Sequence, residues 1–212
     1  LKTRTETRIK VCGVTSVEEA RAAVAAGADA LGLVFYPASR RFLTVEKARE
    51  IALSVPPFIT LVGLFVDAGE QEIQEILDHV PLGLLQFHGN ETDQECGRWR
   101  RRYMKALRIR PDTPVRKLVD AYPGACGLLL DTYRKGVPGG TGEAFDWQLT
   151  PKELIASLDK PIVLAGGLTP DNVSEAIEQV APYAVDVSSG VENSQGGKDP
   201  EKMRAFIQAV KS

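Results

Sequence analysis

Cysteine, histidine, methionine and tryptophan are all scarce in this chain of 212 residues, with 3, 2, 2 and 2 copies. Three cysteines are an odd number, and Cys12, Cys96 and Cys126 have neither CxxC nor metal-ligand spacing, so neither a disulfide framework nor a structural zinc site is indicated. A reducing, cytoplasmic setting is the expectation. Apolar runs all fall well short of a membrane span, and the start at Leu1-Lys2-Thr3-Arg4 lacks the apolar core of a signal peptide. Beginning at Leu1 and not Met, the sequence reads as trimmed or engineered at its start. A surplus of positive charge is missing too. With 26 basic against 28 acidic residues the net charge is -2, and the pI near 5.8 gives no field to attract nucleic acid.

What is present is an ordinary globular composition, 43% hydrophobic and 25% charged, in a chain long enough for a full core. No linker or low-complexity segment divides it, so residues 1–212 are expected to form a single domain. Short, nearly continuous apolar runs predict parallel strands buried on both faces. They fall at Ile9–Gly13, Ala30–Phe35, Thr60–Val66, Gly83–Phe87, Met104–Ile109, Gly127–Leu130, Pro161–Ala165 and Ala184–Val187. Between them lie helical periodicities such as Val17, Ala20 and Val24, or Ile73, Ile76 and Leu77. Start and stop signals agree. Ser16-Val17-Glu18-Glu19 reads as a capping box, Gly27 as a C-terminal cap, and Thr169-Pro170 and Asp199-Pro200 as N-caps with a first-turn proline. Two prolines crowd the start of the faintest helical stretch, Asp112 to Tyr122.

About eight β-α pairs with short connections predict an α/β fold, a single (β/α)₈ TIM barrel. A doubly wound open sheet would carry a dinucleotide fingerprint after an early strand, and Gly13-Val14-Thr15 offers no G-x-G-x-x-G. In such a barrel the active site gathers at the C-terminal ends of the strands.

Cys12 ends strand 1, a rim position that favours chemistry over the usual role of cysteine as a small buried hydrophobe. Cys96 and Cys126 keep that structural reading. Strand 2 runs into Phe35-Tyr36-Pro37-Ala38-Ser39-Arg40-Arg41, where a guanidinium could bind an anion in bidentate fashion, and spacing alone does not choose between Arg40 and Arg41. His88 ends strand 4, whereas His79 lies near a helix end and reads as incidental. Asp131 follows the apolar strand 6, where burial would keep a carboxyl protonated as a general acid requires. The glycine-rich stretch from Lys135 to Gly142 permits close approach or lid motion. Gly166 and Gly167 after strand 7, with Ser188, Ser189 and Gly190 after strand 8, supply backbone N–H and hydroxyl donors at the loops that recurrently bind phosphate in this fold.

Taken together, these segments closely resemble the phosphoribosylanthranilate isomerase family of tryptophan biosynthesis. The resemblance runs through Lys10 to Thr15, Phe35 to Arg41, Gln86 to Gly89, Leu130-Asp131, Gly139 to Gly142, Phe145 to Trp147, Ala165 to Leu168 and Val185 to Glu192. Phe87 departs from a leucine usual in the family, and Glu143 stands where a lysine is common. The resemblance implies an Amadori rearrangement of N-(5-phosphoribosyl)anthranilate without any cofactor or metal, because the substrate's own amine serves as electron reservoir. It implies Asp131 as the acid that opens the furanose and Cys12 as the base that takes the C2 proton. The family pattern F-x-x-x-S-x-R falls on Phe35, Ser39 and Arg41, making Arg41 the partner of the anthranilate carboxylate, with His88 and Asp186 as further substrate contacts. Phosphate would sit on Gly166, Gly167, Ser188, Ser189 and Gly190.

Acid and base make opposite demands. An ordinary thiol titrates at about 8.5, so Cys12 is expected to need nearby positive charge, and Asp131 an apolar setting that lifts it from about 3.9. The partner expected is a small phosphosugar-anthranilate molecule, with no nucleic acid or membrane, acting on a monomer or homodimer. The histidine-pathway isomerase would place a carboxylate where Cys12 stands, and indole-3-glycerol phosphate synthase would need a lysine acid and a longer N-terminus. A non-catalytic phosphate-binding barrel would keep the strand 7 and 8 loops and lose the acid–base pair.

Overall fold

The computed structural model describes residues 6–110, 113–132, 150 and 152–212. Its first half is β1 (Arg8–Cys12), α1 (Val17–Ala26), β2 (Ala30–Val34), α2 (Val45–Ser54), β3 (Thr60–Phe65), α3 (Glu70–His79), β4 (Leu84–Phe87) and α4 (Asp93–Gly97). The second half is β5 (Tyr103–Ile109), α5 (Val115–Asp120), β6 (Gly127–Thr132), α6 (Lys152–Ala156), β7 (Ile162–Leu164), α7 (Val173–Val180), β8 (Ala184–Val187) and α8 (Pro200–Lys211). Every strand pairs in parallel with its neighbours in sequence, and β8 closes on β1, so the predicted (β/α)₈ barrel is the fold.

The period of two along each strand separates two cores. Outward positions pack under the helices. A row of aromatic rings runs there across β2 to β5, with centroids 5.4 Å apart for Phe35–Phe65, 5.9 Å for Phe65–Phe87 and 6.0 Å for Phe87–Tyr103. Phe87 thus joins its two aromatic neighbours. Inward positions build the lumen, where Met104, Ala106, Leu129, Val163, Ala165 and Ala184 form a separate apolar cluster. The lumen also holds buried polar side chains, Lys10 of β1 and Gln86 of β4.

Helix starts correct the sequence reading in two places. Ser16 caps α1 by accepting from the Glu19 N–H, but the Glu19 carboxylate does not return to Ser16. It accepts instead from Thr15 N and Oγ1, at 2.6 and 2.9 Å, and from Lys198 N at 2.7 Å. Nor does Thr169 cap α7. A turn intervenes, and Asn172 stabilises it by accepting from the Thr169 N–H at 2.8 Å and donating to the Gly167 carbonyl at 3.0 Å. Asp199 caps α8 as expected, with Pro200 in the first turn, and α5 is only six residues long behind its prolines. The stretches Gly139–Gly142 and Phe145–Trp147, with Glu143, lie outside the described residues. Among the described residues no helix is long and apolar enough to cross a membrane.

Candidate active site

Cys12 is the last residue of β1, 6% exposed, with Lys10 two residues earlier on the same lumenal face. The Lys10 ammonium lies 2.9 Å from Asp186 Oδ1 on the neighbouring β8, both side chains being less than a tenth exposed. Room for this group comes from Gly32 on β2, where a Cβ would stand 2.7 Å from Cys12 Sγ and 3.1 Å from Lys10 Nζ. Burial alone would drag Lys10 down, but the carboxylate of Asp186, with the neighbouring Cys12, holds it above the ordinary lysine value. For Cys12 the balance falls the other way. Burial pushes the thiol up, more than the Lys10 charge pulls it down. The expected positive charge is therefore present, yet in this form it does not by itself yield a thiolate.

Asp131 sits on β6 with its side chain 31% exposed, and its Oδ2 is 3.3 Å from His88 Nε2. Among the described residues its ion-pair partner is the His88 imidazole, and its side chain is partly buried. His88 follows β4, and its Nδ1 lies 3.2 Å from the amide of Gln86, one residue further down the same lumenal face. The loop carrying His88 is held from behind. Lys105 Nζ donates to the Gly89 carbonyl at 2.7 Å and to Glu91 at 2.8 Å, while Glu91 accepts from the backbone N–H groups of Gly89 and Asp67.

The two arginines after β2 separate. Arg41 is 19% exposed and grips Glu192 with two bonds, Nε to Oε1 at 2.6 Å and Nη2 to Oε2 at 3.1 Å. Arg40 touches the same carboxylate from outside with its side chain 58% exposed. Arg41 reaches this position by crossing Gly13, which has φ +76° and where a Cβ would lie 2.3 Å from Arg41 Cδ. Only glycine satisfies both the backbone angle and the close approach. Lys198 completes the group, with Nζ 2.8 Å from Glu192 Oε1 and 3.1 Å from the Ser188 carbonyl. Burial would raise Glu192, but its bonds to Arg41 and Lys198 hold the carboxyl below the usual range.

Gly166 and Gly167, at φ 88° and 67°, turn the chain sharply after β7. Ser189–Val191 forms a single 3-10 turn after β8. The two loops are in contact, since a Cβ on Gly190 would stand 1.9 Å from the Leu168 carbonyl oxygen. The Ser188 hydroxyl donates to the Cys12 carbonyl at 3.0 Å, which ties this loop to the end of β1 and commits that donor within the protein. Among the described residues none accepts from the N–H groups of Gly167, Ser189 or Gly190.

Lys10, Gly32, Gln86, Glu192 and Lys198 carry no role in the sequence reading. A lysine within the apolar Ile9-Lys10-Val11 run and a glutamine within Leu84-Leu85-Gln86-Phe87 are the signals that would have found two of them. Cys96 is structural as expected, buried in α4 with its thiol pushed up to about 12 by burial. Exposed His79 bonds the Glu75 carbonyl within α3. No cluster of three or more metal-ligating side chains occurs among the described residues.

The closed, all-parallel eight-stranded sheet defines a (β/α)₈ barrel, a fold that gathers its functional side chains at the C-terminal rim of the strands. Comparison narrows this class. The family model described as N-(5'phosphoribosyl)anthranilate (PRA) isomerase matches residues 9–209, and the chain belongs to that family. An N-(5'-phosphoribosyl)anthranilate isomerase of Pseudomonas aeruginosa (strain UCBPP-PA14) is 61% identical over 205 residues, covering 97% of this chain and 95% of the relative. The crystal structure of phosphoribosyl anthranilate isomerase from Thermotoga maritima superposes with a TM-score of 0.88 at 38% identity, covering 97% of this chain and 98% of that one. A phosphoribosyl anthranilate isomerase solved with reduced 1-(o-carboxyphenylamino)-1-deoxyribulose 5-phosphate gives a TM-score of 0.85 at 37% identity, with the same coverage.

Proposed function

We propose that this chain converts N-(5-phosphoribosyl)anthranilate into 1-(2-carboxyphenylamino)-1-deoxyribulose 5-phosphate, a step of tryptophan biosynthesis. The observation that carries the reading is the rim arrangement, with Cys12 and Asp131 on β1 and β6 beside two touching loops that present backbone N–H groups. Gly166, Gly167, Ser189 and Gly190 hold the 5-phosphate through backbone N–H groups, and Ser188 fixes their loop to β1. Asp131 gives its proton to the furanose oxygen as the C1–O bond breaks, and the anilino nitrogen lone pair forms the imine. Cys12, as thiolate, then removes the C2 proton, giving an enaminol. Transfer of the C2 hydroxyl proton to solvent and protonation of C1 complete the ketone. No external oxidant or reductant enters this balance, so no cofactor is required.

Arg41 takes the anthranilate carboxylate with the part of its guanidinium not held by Glu192. His88 and Asp186 face the sugar from β4 and β8. The residues named all come from one chain, so the reading is the same for a monomer or a homodimer, with residues 1–212 as one catalytic domain working in the cytoplasm. Freshly prepared phosphoribosylanthranilate mixed with the protein should lose its anthranilate-type fluorescence with enzyme-dependent kinetics. Absence of turnover with phosphosugar binding intact would overturn the reading in favour of a binding module.

A further inference from the structure

Four cationic side chains lie on the strands, Arg8 and Lys10 on β1 and Lys105 and Arg108 on β5. Three of them meet a carboxylate, Arg8 with Asp29, Lys10 with Asp186 and Lys105 with Glu91. The Arg108 guanidinium has no partner among the described residues, and the residue is exposed. Alternation along β5 fixes the face it occupies. Leu107 and Ile109 belong to the core under the helices, whereas Met104 and Ala106 belong to the lumenal cluster. Arg108 continues the lumenal row past Ala106, at the C-terminal rim. Its register partner on β6 is Asp131, as Leu129 of the lumenal cluster is the partner of Ala106. Asp131 is nevertheless engaged by His88, which leaves Arg108 unpaired beside it. We propose that Arg108 is a further substrate-binding residue, which takes the aryl carboxylate of phosphoribosylanthranilate. This rests on the activity proposed above and on Asp131 standing at the furanose oxygen.

The substrate brings two anionic groups into the mouth, a phosphate and a carboxylate. The loops assigned to the phosphate follow β7 and β8, and β6 separates them from β5. The carboxylate is the nearer anion. On the anthranilate ring it stands ortho to the nitrogen carried by C1, and C1 is bonded to the furanose oxygen. A group on β6 that reaches this oxygen therefore has the carboxylate close by, and β5 is the adjoining strand. Guanidinium and carboxylate fit as a fork of two parallel hydrogen bonds. Arg108 can turn both donors to the ligand without breaking a bond inside the protein. Arg41 cannot, because it already gives two donors to Glu192. A carboxylate has two oxygens with several acceptor sites, so it can meet Arg41 from the β2 side and Arg108 from the β5 side.

The test uses the full chain and two ligands that differ only in the group at issue. They are the product, 1-(2-carboxyphenylamino)-1-deoxyribulose 5-phosphate, and its phenylamino counterpart without the carboxylate, with binding measured by calorimetry. Arg108→Met should weaken the product about fivefold and leave the counterpart within about twofold. Arg108→Lys, which keeps the charge and loses the fork, should fall between. In steady-state kinetics Arg108→Met should raise KM for phosphoribosylanthranilate with kcat changed less than about twofold. Equal weakening of both ligands would place the contact on the phosphate or sugar and overturn the proposal. Unchanged binding of both would overturn it as well, leaving Arg108 a solvated side chain. The two readings fail separately. Wild-type protein that binds the product without turning substrate over sinks the proposed activity, whereas normal turnover with no carboxylate-dependent loss in Arg108→Met sinks only the role of Arg108.

Discussion

Burial raises the Cys12 thiol in spite of the ammonium two residues away, so the base is mostly protonated at rest and its rate should depend on pH. The sign is fixed. Thiolate grows as pH rises, so kcat/KM should climb through the Cys12 titration. Lys10 pulls that titration down, and Lys10→Met should move the acid limb of the pH–rate profile upward, with a larger loss at low than at high pH. The same change strands buried Asp186 and should lower stability by about 3–5 kcal/mol in a urea titration. Cys12→Ala and Asp131→Asn should each reduce kcat by roughly 10²–10⁴-fold while the circular dichroism spectrum stays unchanged. Near-normal turnover in either purified variant would sink the assignment. The place of Cys12 at the end of β1 was legible, because the apolar run that makes the strand is local in sequence. Lys10 was not, because its partner Asp186 lies 176 residues away and only closure of the barrel brings them together.

At the scale of elements, the loops after β7 and β8 act as one unit because Gly190 packs directly on the Leu168 carbonyl. Gly190→Ala must push these loops apart. A displacement of this order at a positioning contact should lower kcat/KM by about 10²-fold. Competition by inorganic phosphate should weaken in parallel. Unchanged phosphate inhibition would show that the contact does not shape the anion site. Gly166, Gly167 and Gly190 were visible in the sequence as glycines at the right strand ends. Their contact was not visible, nor was the turn that delays α7 past Thr169, because Asn172 bonds to loop atoms that pattern reading does not place. The place of Asp131 at the end of β6 was legible, but its neighbour was not. His88, which follows β4, comes beside it only through the closed barrel.

Across the molecule, Glu192 links separate parts of the rim. It joins Arg40 and Arg41 of the β2–α2 connection to Lys198, and its carbonyl accepts from Lys202 of α8 at 2.7 Å. Its carboxyl lies below the ordinary glutamate value in the fold, so folding favours the ionised form. That contribution is fully present above the unfolded value of about 4.3 and is lost as pH falls through the lower folded value. Glu192→Gln should therefore destabilise the protein at neutral pH and flatten the acid side of a Tm-against-pH curve. An equally steep acid side in the variant would refute this role. The sequence by itself determined the strands, the barrel they form, and the rare side chains at their ends, because apolar runs and strand termini are local properties of the chain. The tertiary structure alone decided which charges meet. Lys10 with Asp186, Arg41 with Glu192, and Gln86 below His88 beside Asp131 mostly join strands or loops distant in sequence. Closure of the sheet and the packing of its rim loops set their distances.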